Sequence, residues 1–290
     1  MRSNRRMKWV ATPLALAAAL VLAGCTSEQQ RGFLPAGSEG ATNHTDGITS
    51  LWVNSWIVLL AVGVITWGLI IWAAIAYRRR KGQTGMPVQL RYNMPIETFF
   101  TIVPVILVIG FFAFTAQEQS KIEARDPNPE NVVEVFGKRW AWDFNYVKDD
   151  VHFQGVQVQT DKKGSAKPET MPVLYLPVNK TTEIRLESRD VIHSFWVVDF
   201  LYKKDMIPGK TNYMTFTPTK TGTFMGKCAE LCGEYHSMML FEVKVVNQDE
   251  YDAYVKSLRE QGKTGLVGND QNPNQDLFAA PAAAGEKHEG

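Results

Sequence analysis

Residues 227–240 read K-C-A-E-L-C-G-E-Y-H-S-M-M-L, and the reading of this stretch decides how the rest of the chain is understood. Four side chains that bind soft or borderline metals stand here at short intervals: Cys228, Cys232, His236 and Met239. Two thiolates, an imidazole and a thioether suit copper better than other common metals, because sulfur donors favour Cu(I) and imidazole tolerates Cu(II). Zinc seldom takes a thioether, and calcium and magnesium require oxygen donors. The flanks, 221–226 and 239–246, read as strands, which puts the four ligands on a loop between them. A further candidate, His193, lies upstream in V-I-H-S-F-W-V-V, which also reads as a strand. One distant histidine and a ligand-bearing loop together make a rigid metal site on a β-sandwich. Three other readings of the spacing stay open: a redox disulfide, half of a zinc site, and a helix carrying all four residues on one face.

The pattern C-x-E-x-C-G-x-x-H-x-x-M, with D-V-x-H-S-F upstream, resembles the CuA site of cytochrome c oxidase subunit II. The resemblance implies a dinuclear copper centre bridged by Cys228 and Cys232, with His193 and His236 as terminal ligands. It also implies Met239 and the backbone carbonyl of Glu230 as weak axial ligands. The Glu230 side chain would bind a magnesium ion shared with subunit I of the oxidase. Bridging thiolates let one unpaired electron spread over both metals, which makes a fast one-electron relay and a poor substrate site.

The rest of the chain is read against that expectation. Its 290 residues allow one or two domains plus extra segments, and 45% hydrophobic content is ample for a core. A net charge of +1 implies no polyanionic partner, so nucleic acid is not expected. Of the three cysteines, two belong to the copper motif. The third, Cys25, ends the sequence L-A-G-C after an Arg- and Lys-bearing start and an apolar run. Residues 1–24 therefore read as a secretory signal peptide, and L-A-G-C resembles the bacterial lipoprotein box, which implies lipidation of Cys25. Residues 25–50 are rich in Gly, Ser, Thr and Glu and read as a linker.

Residues 51–77 are apolar for longer than the roughly 20 residues a bilayer crossing needs, with Trp52 and Trp56 near one end and Trp72 and Tyr77 near the other. Arg78, Arg79, Arg80 and Lys81 follow and mark the cytoplasmic side. A second span over about 95–116 returns the chain, so 51–117 read as a transmembrane hairpin with both ends outside. Glu97 opens that span. An acid in a first helical turn interacts well with the helix dipole. The segment I-E-T-F-F-T-I-V-P also resembles the family's V-E-T-I-W-T-I-L-P, which implies that Glu97 stands at the entrance of a proton path into the catalytic subunit.

From residue 118 onward a polar link leads into short strands punctuated by turn residues: 131–136, 139–147, 151–158, 173–178, 182–188, 191–199 and 213–217, then the two around the copper loop. This predicts a transmembrane α-helical hairpin followed by an all-β, cupredoxin-like Greek-key sandwich, with 118–247 as the extracytoplasmic domain. In G-K-R-W-A-W-D-F-N-Y, residues 137–146, the aromatics Trp140, Trp142, Phe144 and Tyr146 alternate and at least two are expected in the core. The resemblance to the family's G-x-Q-W-Y-W implies that Trp140 receives the electron from cytochrome c. By the same resemblance Arg189 stands where mitochondrial members carry an acid in the donor-docking patch, and Lys203 and Lys204 add positive charge in the turn that follows 191–199. A membrane-bound cytochrome c, in a supercomplex with the bc complex, is therefore expected in preference to a small basic soluble one. Residues 248–262 read as an amphipathic helix with Tyr251, Tyr254, Val255 and Leu258 on one side, and 263–290 as a disordered tail.

The resemblance covers the chain from the first span through the copper loop. It implies a bacterial plasma-membrane, multi-pass subunit II of an aa3-type oxidase, partnered by subunit I and other oxidase subunits. It would serve as the part that accepts electrons from cytochrome c and passes them to haem a of subunit I, where oxygen reduction drives proton pumping. A quinol oxidase subunit lacks these ligands, and a nitrous oxide reductase needs a propeller that the chain is too short to hold. A membrane-tethered copper-delivery protein is the competing reading.

Overall fold

The computed structural model describes residues 26–86, 89 and 91–268. The signal peptide over 1–24, Cys25 and residues 269–290 lie outside the described residues. The chain divides into two compact units. One comprises the described residues up to Pro35 with Gly47–Glu118, and the other Ala36–Asp46 with the described residues from Gln119 onward.

The first unit is built on helices. A short α1 (Ser27–Gln30) is closed by a capping box in which the Thr26 hydroxyl accepts from the Gln29 amide and the Gln29 side chain accepts from the Thr26 amide. The long helices α2 (Thr45–Ala76) and α3 (Met94–Glu123) both carry windows apolar enough to cross a bilayer. At about 1.5 Å per residue each exceeds the roughly 30 Å hydrocarbon layer. Both run past the apolar stretches that define them in sequence: α2 begins six residues before 51, and α3 continues seven beyond 116.

The second unit is a sandwich of two five-stranded sheets, ordered β3-β2-β1-β5-β8 and β4-β10-β9-β6-β7. Its strands are β1 (Asn131–Lys138), β2 (Ala141–Tyr146), β3 (Val151–Gln154), β4 (Val173–Pro177), β5 (Thr182–Ser188), β6 (His193–Val197), β7 (Tyr202–Met206), β8 (Asn212–Phe216), β9 (Gly222–Cys228) and β10 (Leu240–Val246). The period-two pattern explains them. In β5, Ile184 and Leu186 point into the core while Glu183, Arg185 and Glu187 take the other face. Trp142, Phe144 and Tyr146 from β2 are fully buried, Trp142 against Phe195 and Phe241 of the facing sheet, Phe144 against Phe241, and Tyr146 against Tyr251 and Tyr254. Trp140 precedes β2 and is only half-buried, so the run of four aromatics gives three to the core and leaves one at the rim.

Four expectations need correction. β7 was read as a turn around Lys203 and Lys204, yet it pairs with β6 from His193↔Met206 to Val197↔Tyr202. Its sequence, Y-K-K-D-M, is that of an edge strand guarded by lysine, where the apolar alternation is weak. The linker over 25–50 is in part structural. Ala41, Thr42 and Thr45 are buried, and 40–44 run along the edge of the first sheet through Asn43 N–H to Thr217 O (3.0 Å), Thr217 N–H to Asn43 Oδ1 (2.8 Å) and Thr219 N–H to Ala41 O (3.1 Å). The tail expected to be disordered from 263 stays docked to 268: Thr264 bridges Val151, and the Asn145 amide exchanges both hydrogen bonds with Val267 (2.9 and 3.0 Å). Buried backbone must find hydrogen-bond partners, and here an inward-turned asparagine supplies them.

The fourth correction concerns Arg189. It was expected on a donor-docking surface, but its side chain is fully buried, 2.8 Å from Asp143, whose other oxygen meets Lys138 Nζ at 2.8 Å. The guanidinium also lies over the Phe136 ring, 4.5 Å from its centroid. A buried charge is retained only where it is paired, and Asp143 pairs two of them.

Candidate metal centre

The site forms at one end of the second sheet, where antiparallel β6 and β9 are in register at Phe195↔Cys228. His193 opens β6 and Cys228 closes β9, so the strand ladder fixes both before any loop is considered. The loop from Ala229 to Met239 then folds back over them. Cys228 N–H bonds Met239 O (3.0 Å), Ala229 N–H bonds Ser194 O (3.0 Å) and a 3-10 turn spans His236–Met238. Gly233, at φ +128°, carries the backbone through a region that side chains disfavour, and the Trp140 ring packs against it.

These elements bring the predicted ligands together. Cys228 Sγ lies 3.8 Å from Cys232 Sγ, 3.8 Å from His193 Nδ1 and 3.2 Å from Glu230 O. Cys232 Sγ lies 3.5 Å from His236 Nδ1 and 3.8 Å from Met239 Sδ. His193, Cys228, Cys232 and Met239 are buried, His236 is half-buried, and the Glu230 side chain is exposed. Both cysteines are unbridged. The competing reading of the four loop residues on one helix face is therefore excluded, since Cys228 belongs to a strand and His236 to a separate turn.

The electrostatics follow from crowding. Two thiols 3.8 Å apart do not both ionise readily: their shared hydrogen bond holds Cys228 well below the usual thiol range and, together with burial, pushes Cys232 above it. Burial works against a charge on His193, but hydrogen bonds to Asp190 and Cys228 outweigh it and raise the imidazole. For Asp190, burial is likewise overcome, by bonds from His193 and from the Arg139 and Val191 amides, so the carboxyl is held below the usual range.

Does this set fit copper? The donors are two thiols, two imidazole Nδ1 atoms, a thioether and a carbonyl, and the ligating atoms of His193, Cys228 and Cys232 all lie within 4.8 Å of one another. Sulfur–nitrogen separations of 3.5 and 3.8 Å match roughly the ligand–ligand edge around a metal with bonds of about 2.0 to 2.3 Å. A soft, sulfur-rich and mostly buried set of this kind suits copper and rejects oxygen-seeking cations. The residues fit.

The other candidates are placed as follows. Trp140 stands at the rim, edge-on to Tyr235 with ring centroids 5.0 Å apart. Glu97 lies in the helical unit, in the first turn of α3, where its Oε1 accepts from Asn93 N–H at 2.8 Å and so caps its own helix. Three contributors were not singled out from sequence. The Asp190 carboxylate accepts from His193 Nε2 at 2.8 Å, the Trp142 indole N–H donates to Met239 O at 3.3 Å, and Gly137 lies under the His193 ring. A Cβ at Gly137 would come within 3.0 to 3.2 Å of that ring. An acid three residues before a strand histidine was the available signal for Asp190.

Known proteins resemble this chain in sequence. The family described as cytochrome c oxidase subunit II, periplasmic domain, matches residues 131–246. A Streptomyces avermitilis protein described as a probable cytochrome c oxidase subunit 2 is 43% identical over 92% of this chain and 92% of its own length. The cytochrome c oxidase subunit 2 of Mycobacterium bovis is 34% identical over 87% of this chain and 83% of its own length. Among solved structures, the periplasmic domain of subunit II of cytochrome oxidase from Bradyrhizobium japonicum is 30% identical, covering 47% of this chain and 97% of that one with a TM-score of 0.42.

Proposed function

Because the chain belongs to the cytochrome c oxidase subunit II family, we propose that it is the subunit through which electrons from a cytochrome c reach subunit I, where oxygen is reduced and protons are pumped. The observation that carries this reading is the convergence of His193, Cys228, Cys232, His236 and Met239 with the Glu230 carbonyl in one mostly buried cup. These six would hold the dinuclear CuA centre, which supplies a one-electron store shared between two metals. The protein's own contribution is rigidity: strand ladders fix His193 and Cys228, and the cup excludes water, so little has to move when charge changes.

Trp140 would serve as the contact with the donor, because it combines an exposed edge with packing on the ligand loop at Gly233 and Tyr235. The exposed Glu230 carboxylate would share a magnesium ion with subunit I, joining the copper loop to the subunit boundary. Glu97 would collect protons for subunit I from the cytoplasmic side, from its place in the exposed first turn of α3. The two helices would cross the plasma membrane with the sandwich and both termini on the outer face, and Cys25 would carry a lipid after removal of residues 1–24. A membrane-bound cytochrome c, in a supercomplex with the bc complex, is the proposed donor. With Arg189 buried, support for that choice comes from Lys203 of β7 and Lys227 of β9, which flank Trp196 of β6 and would repel a small basic cytochrome.

Electron paramagnetic resonance of the copper-loaded protein tests the reading. A mixed-valence signal with hyperfine splitting from two equivalent coppers is expected. A single-copper spectrum, with copper lost readily to a chelator, would instead favour the copper-delivery reading.

A further inference from the structure

We propose that Asp190 is a positioning residue that locks the His193 imidazole and the turn bearing Trp140 into one frame. The inference rests on the reading of the cup as a copper site, and deepens it by naming what sets the geometry between the donor contact and the metal ligand.

The Asp190 side chain is fully buried, and its two oxygens serve two different segments. Oδ1 accepts from His193 Nε2 at 2.8 Å and from the Val191 amide at 2.7 Å. Oδ2 accepts from the Arg139 amide at 2.7 Å, with Arg139 Nε 3.7 Å away. An ionised carboxylate only accepts, so the imidazole proton sits on Nε2 and the Nδ1 lone pair is left facing Cys228 Sγ. That is the tautomer a metal ligand needs, and the orientation is held from outside the ring.

The second oxygen adds what an orienting acid alone would not. Arg139 is bonded directly to Trp140 in the turn between β1 and β2, so the Arg139 amide fixes where the indole begins. Arg189 N–H to Gly137 O (3.0 Å) ties the same two turns together, and Gly137 lets the His193 ring lie against β1. From its other side the indole rests on Gly233 and Tyr235 of the ligand loop. Trp140 is thus anchored to both ligand-bearing segments, and Asp190 is the anchor on the His193 side. A loop acid with a purely local role would bond its own turn, as the Val191 amide does, and would not span to β1.

Two variants of the intact oxidase separate the alternatives. In Asp190→Asn one oxygen remains, so only one of the two donors, His193 or Arg139, keeps its acceptor, while Asp190→Ala removes both. Two readouts are followed at matched copper content: the nitrogen hyperfine coupling of the copper-bound imidazole, and the rate of electron transfer from reduced donor. Asp190→Ala should alter the hyperfine coupling and slow electron transfer by about 10- to 100-fold, the range for groups that orient metal ligands. Asp190→Asn should alter one readout and largely spare the other. In the copper-free chain, acrylamide quenching of Trp140 emission, isolated by difference against Trp140→Phe, should rise in Asp190→Ala. Native values of all three in Asp190→Ala, or a change confined to the imidazole, would overturn the shared frame. If the native protein itself shows no two-copper signal, the copper reading fails, and the quenching measurement alone decides the role of Asp190.

Discussion

At the scale of single residues, the ligand set divides into groups that make the centre and groups that tune it. Cys228 and Cys232 sit between the two histidines, so either thiol change, Cys228→Ser or Cys232→Ser, should abolish the two-copper signal and electron acceptance. Met239 Sδ lies 3.8 Å from Cys232 Sγ at the edge of the set, and Met239→Leu should leave the signal while raising the potential, because an apolar side chain in place of a weak polar donor disfavours the more highly charged oxidised centre. Equal loss in all three, measured by spectroscopy and redox titration, would mean the roles are misassigned. These residues were legible because their chemistry is local and their spacing short. Arg189 was not, because burial depends on what lies across the sheet. Its partner Asp143 holds two cations, so removing the acid should cost more than removing Arg189, which leaves Asp143 still paired with Lys138. Asp143→Ala is expected to lower stability by about 3–5 kcal/mol, the usual range for breaking a buried pair, and Arg189→Met by clearly less. Thermal unfolding of the two variants checks the order.

At the scale of elements, helix α4 (Gln248–Glu260) was legible from its first residue to within two of the expected end at 262, because its apolar side repeats with helical spacing: Tyr251, Val255 and Leu258 are buried and Tyr254 packs beside them. Its attachment to the sandwich is aromatic. Tyr254 stacks on Tyr175 at 3.9 Å and meets Tyr146 edge-on at 5.7 Å, while Tyr251 donates to Asp149 at 2.8 Å. Burial raises the phenol pKa of Tyr146 and Tyr251, and takes Tyr254 up to about 12. A raised folded-state value means the unfolded chain loses these protons first. The contribution of the neutral phenols is therefore complete below about pH 10 and is lost as pH rises beyond it, by up to about 1.4 kcal/mol per pH unit for each tyrosine. Tyrosinate absorbance and loss of helical circular dichroism should rise together above pH 10, and Tyr254→Phe should move that transition to higher pH. Tyrosines that titrate near pH 10 with the helix intact would contradict the packing. Strand β7 and the docked segments 40–44 and 263–268 were illegible for the opposite reason. Their order comes from hydrogen bonds supplied by neighbours, β6 for β7, Thr217 for 40–44 and Asn145 for 263–268, and no apolar alternation of their own records it.

At the scale of the whole molecule, the sequence divides the work between a unit that carries two bilayer-length helices and a sandwich whose ligands sit at one end of a sheet. The architecture was readable because the two periodicities are so different: unbroken apolar runs of bilayer length in one unit, and short alternating strands in the other. Sidedness is the remaining consequence. Arg78, Arg79 and Arg80 follow α2 one residue after its end, and Gln83 closes the loop behind them, its Oε1 accepting from Arg80 N–H at 2.8 Å. In the proposed orientation, three arginines next to an apolar span would resist translocation and keep this loop in the cytoplasm, and a second crossing would deliver the sandwich to the outer face. A single cysteine placed at Gln83 should react with a membrane-impermeant maleimide only after the cells are opened. One placed at Ser165, exposed on the hairpin between β3 and β4, should react in intact cells. Of the three native cysteines Cys228 and Cys232 are buried, and the protein without an added cysteine measures the background, that of Cys25 included. Labelling at Gln83 in sealed cells would invert the molecule, placing the metal cup on the side where no exported cytochrome could reach it.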